Sequence, residues 1–271
     1  MILSTFSTRA YFTAATCATS SFKILSIADN SKTAEITPPE FLFKSLILWN
    51  SENNSSFRLQ KGILTKKIRN NFIITKYHRS IIIGLILSDG YIKKVNTWNP
   101  RISLHQSIKN FDYIWTVFTQ LSVYCSSYPF LKKMRGKLFY SLEFQTRMLK
   151  SLNEIYNIFY IKASAPGLGR KDKIKTIKPE LFFYIDYIAL AHWIMGDGAK
   201  KNKGIILCTD CFNIKEVVLL MNILLIKYDI KSTIHYDNNK PRIHINKKEL
   251  KKIIPFIKPY FVKHFLYKLN F

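Results

Sequence analysis

The chain has 271 residues, room for one or two domains with a sizeable core. Its net charge of +25 and pI near 9.9 point to a polyanionic partner. The longest largely apolar run, 217–226, is ten residues, well short of the roughly 18 that span a bilayer, which excludes a membrane-spanning segment.

Residues 1–60 hold five basic side chains (Arg9, Lys23, Lys32, Lys44, Arg58) against four acidic ones (Asp29, Glu35, Glu40, Glu52), so +24 of the charge lies beyond them. Met1–Lys23 is rich in Ser, Thr and Ala, which fits a transit peptide and equally a poorly ordered leader. NSENNSS at 50–56 reads as a linker, and this stretch is assigned no function.

From Lys61 onward the chain reads as a repeat, 61–178 and 179–271, in which both halves run αββαββα. Each half opens on an apolar, helix-compatible stretch that ends in Asp-Gly. These are SIIIGLILSDGYI at 80–92, ending in Asp89-Gly90, and YIALAHWIMGDGAKK at 187–201, ending in Asp197-Gly198. An acid at a helix C-terminus meets the partial negative charge of unpaired carbonyls and is locally unfavourable. Glycine after it reads as the αL residue that stops a helix. Two such ends make sense if one cation neutralises both, with Asp89, Asp197 and the carbonyls of Gly90 and Gly198 as hard oxygen ligands for Mg²⁺ or another divalent ion. Aligning the motifs sets Ile81, Gly84 and Ser88 opposite Ala189, His192 and Gly196 on one face, where small residues permit close packing. His192 fits this face worst.

After the first motif, strands are expected near Tyr91–Val95 and at Arg101–Ser107, then a helix at Phe111–Cys125. Strands near Tyr128–Lys133 and at Leu138–Thr146 and a helix at Leu149–Phe159 complete the half, and a basic connector runs from Pro166 to Pro179. The second motif leads into a strand at Gly204–Thr209, a helix at Ile214–Tyr228, and a hairpin at Ser232–Asn246 turning through Asp237-Asn238-Asn239. Helices at Lys248–Phe256 and Tyr260–Leu269 close the chain. Four cysteines (Cys17, Cys125, Cys208, Cys211) are too few and scattered for a disulfide framework, which fits a reducing compartment. Cys208-Thr-Asp-Cys211 lacks the second ligand pair of a tetrahedral zinc site.

Period-two alternation gives the strands one apolar and one polar face. The polar sets are Arg101, Ser103 and His105, then Ser141, Glu143, Gln145 and Arg147, and in the second half Thr233, His235, Arg242 and His244. Arg, His, Gln, Ser and Thr bond base edges and phosphates. We take Arg101, Ser103, His105, Gln145, Arg147, Thr233, His235, Arg242 and His244 as a DNA-contacting surface, a two-stranded ribbon being suited to the major groove of duplex DNA.

GLILSDGYI and ALAHWIMGDGAKK resemble the two motifs of the LAGLIDADG homing endonucleases, in their single-chain, organelle-intron branch. The likeness extends through GIILCTDCFNIKEVVLLMNILLIKYDI, PRIHIN and the closing IKPYFVKHFLYKL, and leaves out residues 1–60. The resemblance implies an α+β monomer of two pseudo-symmetric halves whose sheets form a saddle over a long, asymmetric DNA duplex. It implies that the motif acids Asp89 and Asp197 bind a divalent ion and cut one strand each, leaving 3′ overhangs. Lys268 then matches a basic residue near one active site, and Lys175, with Lys173 and Lys178 close by, its partner in the other. Ser88 and His192 depart from the small residues typical of their positions. The expected function is a site-specific DNA endonuclease of intron homing, with no membrane partner. The alternative that the same resemblance implies is an RNA maturase acting on its host intron RNA, and a DNA-binding regulator without catalysis is a third class. The abundance of Ile, Lys, Asn, Phe and Tyr is that of AT-rich codons, and the expected location is the mitochondrion rather than the chloroplast.

Overall fold

The computed structural model describes residues 65–95, 97–133, 140–162, 173–201 and 204–269. The leader and linker expected within 1–60, and part of the connector, lie outside the described residues. Thr65 and Thr75 start the first two helices, α1 (Lys66–Asn71) and α2 (Lys76–Leu87), each accepting from the backbone N–H three residues on. Then follow β1 (Tyr91–Lys93), β2 (Arg101–Ser107), α3 (Phe111–Leu121), β3 (Phe130–Lys133), β4 (Tyr140–Gln145) and α4 (Leu152–Phe159). A two-stranded ribbon of β5 (Tyr160–Lys162) and β6 (Lys173–Lys175) leads on. The second run is α5 (Tyr187–Asp197), β7 (Gly198–Lys201), β8 (Gly204–Leu207), α6 (Ile214–Tyr228), β9 (Ser232–Asp237), β10 (Lys240–Asn246) and α7 (Lys247–Ile257).

From α2 to α4 and from α5 to α7 the order is αββαββα twice, an α+β fold of two matching halves. The two four-stranded antiparallel sheets also share one strand order, β1-β2-β4-β3 and β7-β8-β10-β9. Ser103 stands opposite Tyr91 and Gln145, as Ile206 stands opposite Ala199 and His244. Tyr91 and Ala199 each lie two residues past a motif aspartate, so Gln145 corresponds to His244 and Glu143 to Arg242.

One apolar cluster runs through both halves, and α2 and α5 are its centre. Ile81 to Leu87 and Ala189 to Met195 are all buried, so neither helix has a polar face. The two pack side by side where small residues meet larger ones. A Cβ on Gly84 would lie 2.4 Å from the Ala189 carbonyl oxygen and 2.6 Å from His192 Cβ, and one on Gly196 would lie 2.4 Å from Ser88 Oγ. His192, the poorest fit by sequence, fills the space that Gly84 leaves. Ser88 turns its hydroxyl to the Gly84 carbonyl at 3.0 Å instead of leaving it unpaired. At the other end, Asp186 caps α5 through Ala189 N at 2.8 Å and accepts from Ser80 Oγ of α2 at 2.5 Å, tying the helices together.

Several expectations are corrected. Neither Gly90 nor Gly198 is in the left-handed region. Both are glycine because a Cβ would strike the preceding turn, Leu85 O at 2.8 Å and Ile194 O at 2.4 Å respectively. The helix expected to Cys125 is α-helical to Leu121, then a 3-10 turn, because Cys125 bridges to Thr146 in the sheet. The closing helix expected over Tyr260–Leu269 is two 3-10 turns, Lys258–Tyr260 and Lys263–Lys268, parted where Val262 N bonds Met195 Sδ. The helix expected from Leu149 starts at Leu152, since Leu149 N is held by the Pro100 carbonyl. β5, β6 and β7 were not expected, being three or four residues long and rich in lysine, and pairing across the ribbon or with β8 makes them strands. The Asn238-Asn239 turn is as expected, both residues at positive φ. Among the described residues no helix is long and apolar enough to cross a membrane.

Gly84→Ala is expected to lower the free energy of unfolding by about 1–3 kcal/mol, since the contact atoms at its Cβ are backbone and a side-chain root and neither can swing away. Urea unfolding of the variant beside the unaltered chain checks this.

Candidate active site and nucleic-acid interface

The helix contact sets the site. Asp89 follows α2 in an exposed turn closed by Gly90 N to Leu85 O at 2.7 Å. Asp197 is the last residue of α5, half-buried, its main-chain oxygen accepting from Cys208 N at 3.2 Å. A Cβ on Gly196 would stand 3.4 Å from Asp89 Oδ2, so the Asp89 carboxylate lies over the residue that precedes Asp197. Two acids thus meet where two helices present their negative ends.

Burial, then the charge of Asp89, pushes the Asp197 carboxyl up to about 7, while Lys175 and Lys268 pull the other way. Lys268 is buried, donating to the Met195 carbonyl at 2.6 Å and reaching Ile194 O at 3.4 Å, with its ammonium over the Phe265 ring. It is thus a cation at the negative end of α5. Burial brings its ammonium down to about 8 against the pull of Asp89 and Asp197. Lys175, from β6, lies with its ammonium 5.3 Å from the centre of the Phe212 ring, and burial lowers its pKa against Cys211, Asp197 and Asp89. The structure thus gathers Asp89, Asp197, Lys175 and Lys268 around one place. Lys173 instead donates to the Lys94 carbonyl, and Lys178 to that of Asn157.

A residue outside the expected set completes the first acid's surroundings. Gln106 donates to Asp89 Oδ2 at 2.5 Å and accepts from Asn110 Nδ2 at 2.9 Å. The signal was present: Gln106 continues the apolar phase of Ile102 and Leu104 on β2, so a polar side chain there points inward. By strand register its counterpart is Thr209, which is buried and donates instead to the Pro241 carbonyl at 2.6 Å. The two acids therefore have different neighbours.

Among the described residues no three His, Cys, Asp or Glu side chains are grouped so that they could hold a metal ion by themselves. The site nonetheless suits a divalent ion of hard character. It brings two carboxylates together at an electrostatic disadvantage that a cation relieves, and the carbonyls of Gly90 and Gly198 follow them directly in the chain. Phosphate oxygens and water would fill the remaining positions.

The polar strand residues divide by sheet. Register puts Arg101, Ser103, His105 and Gln145 on one face of the first sheet, with Arg147 two residues beyond Gln145, past the strand. That face is less solvated than its composition implies: Ser103, Ser141 and Glu143 are buried beneath longer neighbours. His105 Nε2 lies 2.6 Å from Ser141 Oγ. Thr233, His235, Arg242 and His244 share one face of the second sheet, the two imidazoles 4.6 Å apart between centres. Arg242 is engaged: its Nε and Nη2 each lie 2.7 Å from Asp210, and its Nη1 binds Asp237.

A paired-helix core that carries two acids and two polar sheet faces defines a class of pseudo-symmetric nucleic-acid enzymes, and sequence comparison names the family. The LAGLIDADG DNA endonuclease family matches residues 79–253, and the chain belongs to it. The cytochrome b mRNA maturase bI2 of Saccharomyces cerevisiae is 33% identical over 230 residues, 80% of this chain and 53% of that protein. The chain thus spans about half the length of that relative. The probable intron-encoded endonuclease 1 of Wickerhamomyces canadensis is 32% identical over 209 residues, 73% of this chain and 86% of that one. Among solved structures, the homing endonuclease I-WcaI bound to its DNA recognition sequence superposes with a TM-score of 0.65 at 29% identity, covering 74% of this chain and 88% of that one.

The raised Asp197 carboxyl has a sign that can be tested without substrate. Its folded-state pKa of about 7 lies above the unfolded value, so the folded chain holds the extra proton between pH of about 4 and 7 and loses stability as pH rises through that window. Without divalent ions, Asp197→Asn is expected to be more stable than the unaltered chain at pH 8, by on the order of 2 kcal/mol, and no more stable at pH 4. Thermal unfolding in EDTA at the two pH values measures the difference.

Proposed function

We propose that the protein is a site-specific endonuclease that cuts both strands of a long, asymmetric DNA duplex, Asp89 serving one strand and Asp197 the other, leaving 3′ overhangs. The observation that carries this reading is the meeting of the two motif acids over Gly196, flanked by buried Lys268 and half-buried Lys175, in a chain of net charge +25. A DNA or RNA binder without chemistry has no use for two carboxylates where it must approach phosphate. Bound at Asp89 and Asp197 with the carbonyls of Gly90 and Gly198, a divalent ion such as Mg²⁺ would supply charge neutralisation at phosphorus and a more acidic attacking water.

The chain's own groups account for the rest. Gln106, itself held by Asn110, fixes the Asp89 carboxylate through Oδ2. Lys268, anchored to the α5 carbonyls, keeps its proton at neutral pH and offers its positive charge to the extra negative charge of the reacting phosphate. Lys175 approaches the same acids from β6, drawn to Asp197 and Asp89 against the cost of its burial. His192 is held down to about 3 by burial and stays neutral, so the helix seam adds no charge of its own. The sheet faces bearing Arg101, Ser103, His105, Gln145 and Arg147, and Thr233, His235, Arg242 and His244, grip the duplex, the two halves at 61–178 and 179–271 each taking one half-site. The protein acts as a monomer. Its intron-encoded relatives support an organelle, the mitochondrion, as its location.

The runner-up is assistance to splicing of the host intron RNA, favoured by the name of the yeast relative that matches over 80% of this chain.

Duplex DNA carrying the intron-free form of the host gene is expected to be cut once, in both strands, only when Mg²⁺ is present. Asp89→Asn or Asp197→Asn is expected to lower the rate by roughly a hundred-fold or more, and Gln106→Ala by about ten- to a hundred-fold with binding kept. Cutting assays and gel-shift binding on the same duplex read both quantities. Tight binding without a cut, by the unaltered chain in Mg²⁺, would overturn the endonuclease reading and turn attention to splicing.

A further inference from the structure

Glu143 is an anomaly: a buried acid at the centre of the polar face of a strongly basic chain. It stands on β4 opposite His105 of β2 and Phe130 of β3. Its Oε2 accepts from Lys132 at 3.0 Å, and its Oε1 accepts from Gln145 Nε2 at 2.7 Å and from the Tyr91 hydroxyl at 3.4 Å. Burial pushes its carboxyl up, but the hydrogen bonds from Gln145 and Lys132 outweigh this and hold it below the usual range, so it is ionised. Its own side chain is only 4% exposed, which leaves it unable to meet a base. Gln145 is half-exposed on the same face.

An ionised carboxylate only accepts, so the amide group that Gln145 turns to Glu143 must be its NH₂. One N–H is consumed. What Gln145 has left is a carbonyl oxygen and one N–H, an acceptor beside a donor. Adenine presents that pattern in complement in the major groove, a donor at N6 and an acceptor at N7, whereas guanine presents two acceptors, O6 and N7. A free glutamine could turn its amide to suit other bases, but this one cannot turn without breaking its bond to Glu143.

We propose that Gln145, held by Glu143, reads adenine in the half-site under the first sheet. The inference rests on the DNA-binding reading above and goes beyond it by naming a base. The second half has no such device: the corresponding residues are Arg242, engaged by Asp210 and Asp237, and His244. Glu143 is the positioning residue and Gln145 the reader.

The test is selection of bound duplexes from a library with a randomised core, using the full chain in EDTA to prevent cutting. The unaltered chain is expected to enrich one consensus, with adenine over guanine by roughly ten- to a hundred-fold at one position. Gln145→Ala should flatten that position and no other. Glu143→Gln, and Glu143→Asp as a second variant whose carboxylate is withdrawn from the amide, should keep binding and admit guanine or cytosine there. If Gln145→Ala moves no position, or moves one that holds no A·T pair, the reader is overturned and the endonuclease reading stands. If both Glu143 variants bind and keep adenine exclusive, the lock is overturned. If the unaltered chain enriches no duplex at all, both readings fall together.

Discussion

The close approach of α2 and α5 is the constraint on which the rest depends. Helix axes come near only where a side chain is missing, and here Gly84 makes room for His192 and Gly196 makes room for Ser88. The Ser80–Asp186 bond fixes the opposite end, so neither helix can slide along the other without losing it. Because Asp197 ends α5 and Asp89 stands two residues past the end of α2, aligning the helices brings the acids together. The candidate site is in this sense a by-product of the packing contact between the two helices.

Bringing two acids to two negative helix ends is costly, and the fold answers it with lysines that are themselves partly desolvated. Lys268 neutralises the end of α5 directly through the Met195 carbonyl, and Lys175 approaches from a ribbon between the halves. Neither removes the strain entirely, since the Asp197 carboxyl remains near 7. A site held in that condition is poised for a further cation. The surroundings are also unequal: Asp89 is exposed and held by Gln106, whereas Asp197 is half-buried and has Thr209 turned away from it. A single chain is free to make its halves differ in this way, and an asymmetric duplex requires that they do.

The sheets show the same divergence from a common plan. Strand order and register repeat, yet the position that holds Glu143 in one half holds Arg242 in the other. Each is neutralised by neighbours of opposite sign, Lys132 for Glu143 and Asp210 with Asp237 for Arg242. Opposite charges at equivalent positions are therefore each held in ion pairs with their neighbours.

Much of this was legible in the chain itself. The apolar runs before Asp89 and Asp197, the alternation in Arg101–Ser107 and Arg242–Asn246, and the Asn238-Asn239 turn are local patterns, and local patterns follow from periodicity and backbone preference alone. The meeting of Gly84 with His192 and of Ser88 with Gly196 could be anticipated because two copies of one motif must meet through the same face. Other features had no local signature. β5, β6 and β7 are strands only because a partner strand is present, and Gly90 and Gly198 are glycine for want of space rather than for a left-handed backbone. Lys268 reads as a solvated surface residue until Ile194 and Met195, more than seventy residues earlier, supply the carbonyls it binds. Gln106 shows the boundary between the two: its place in the strand marked it as pointing inward, but only the folded chain put Asp89 at the end of its amide. Sequence determined which faces were apolar and which residues carried charge. The tertiary structure decided which charges meet, because burial and distance between remote segments set their energies and neither is written in any one segment.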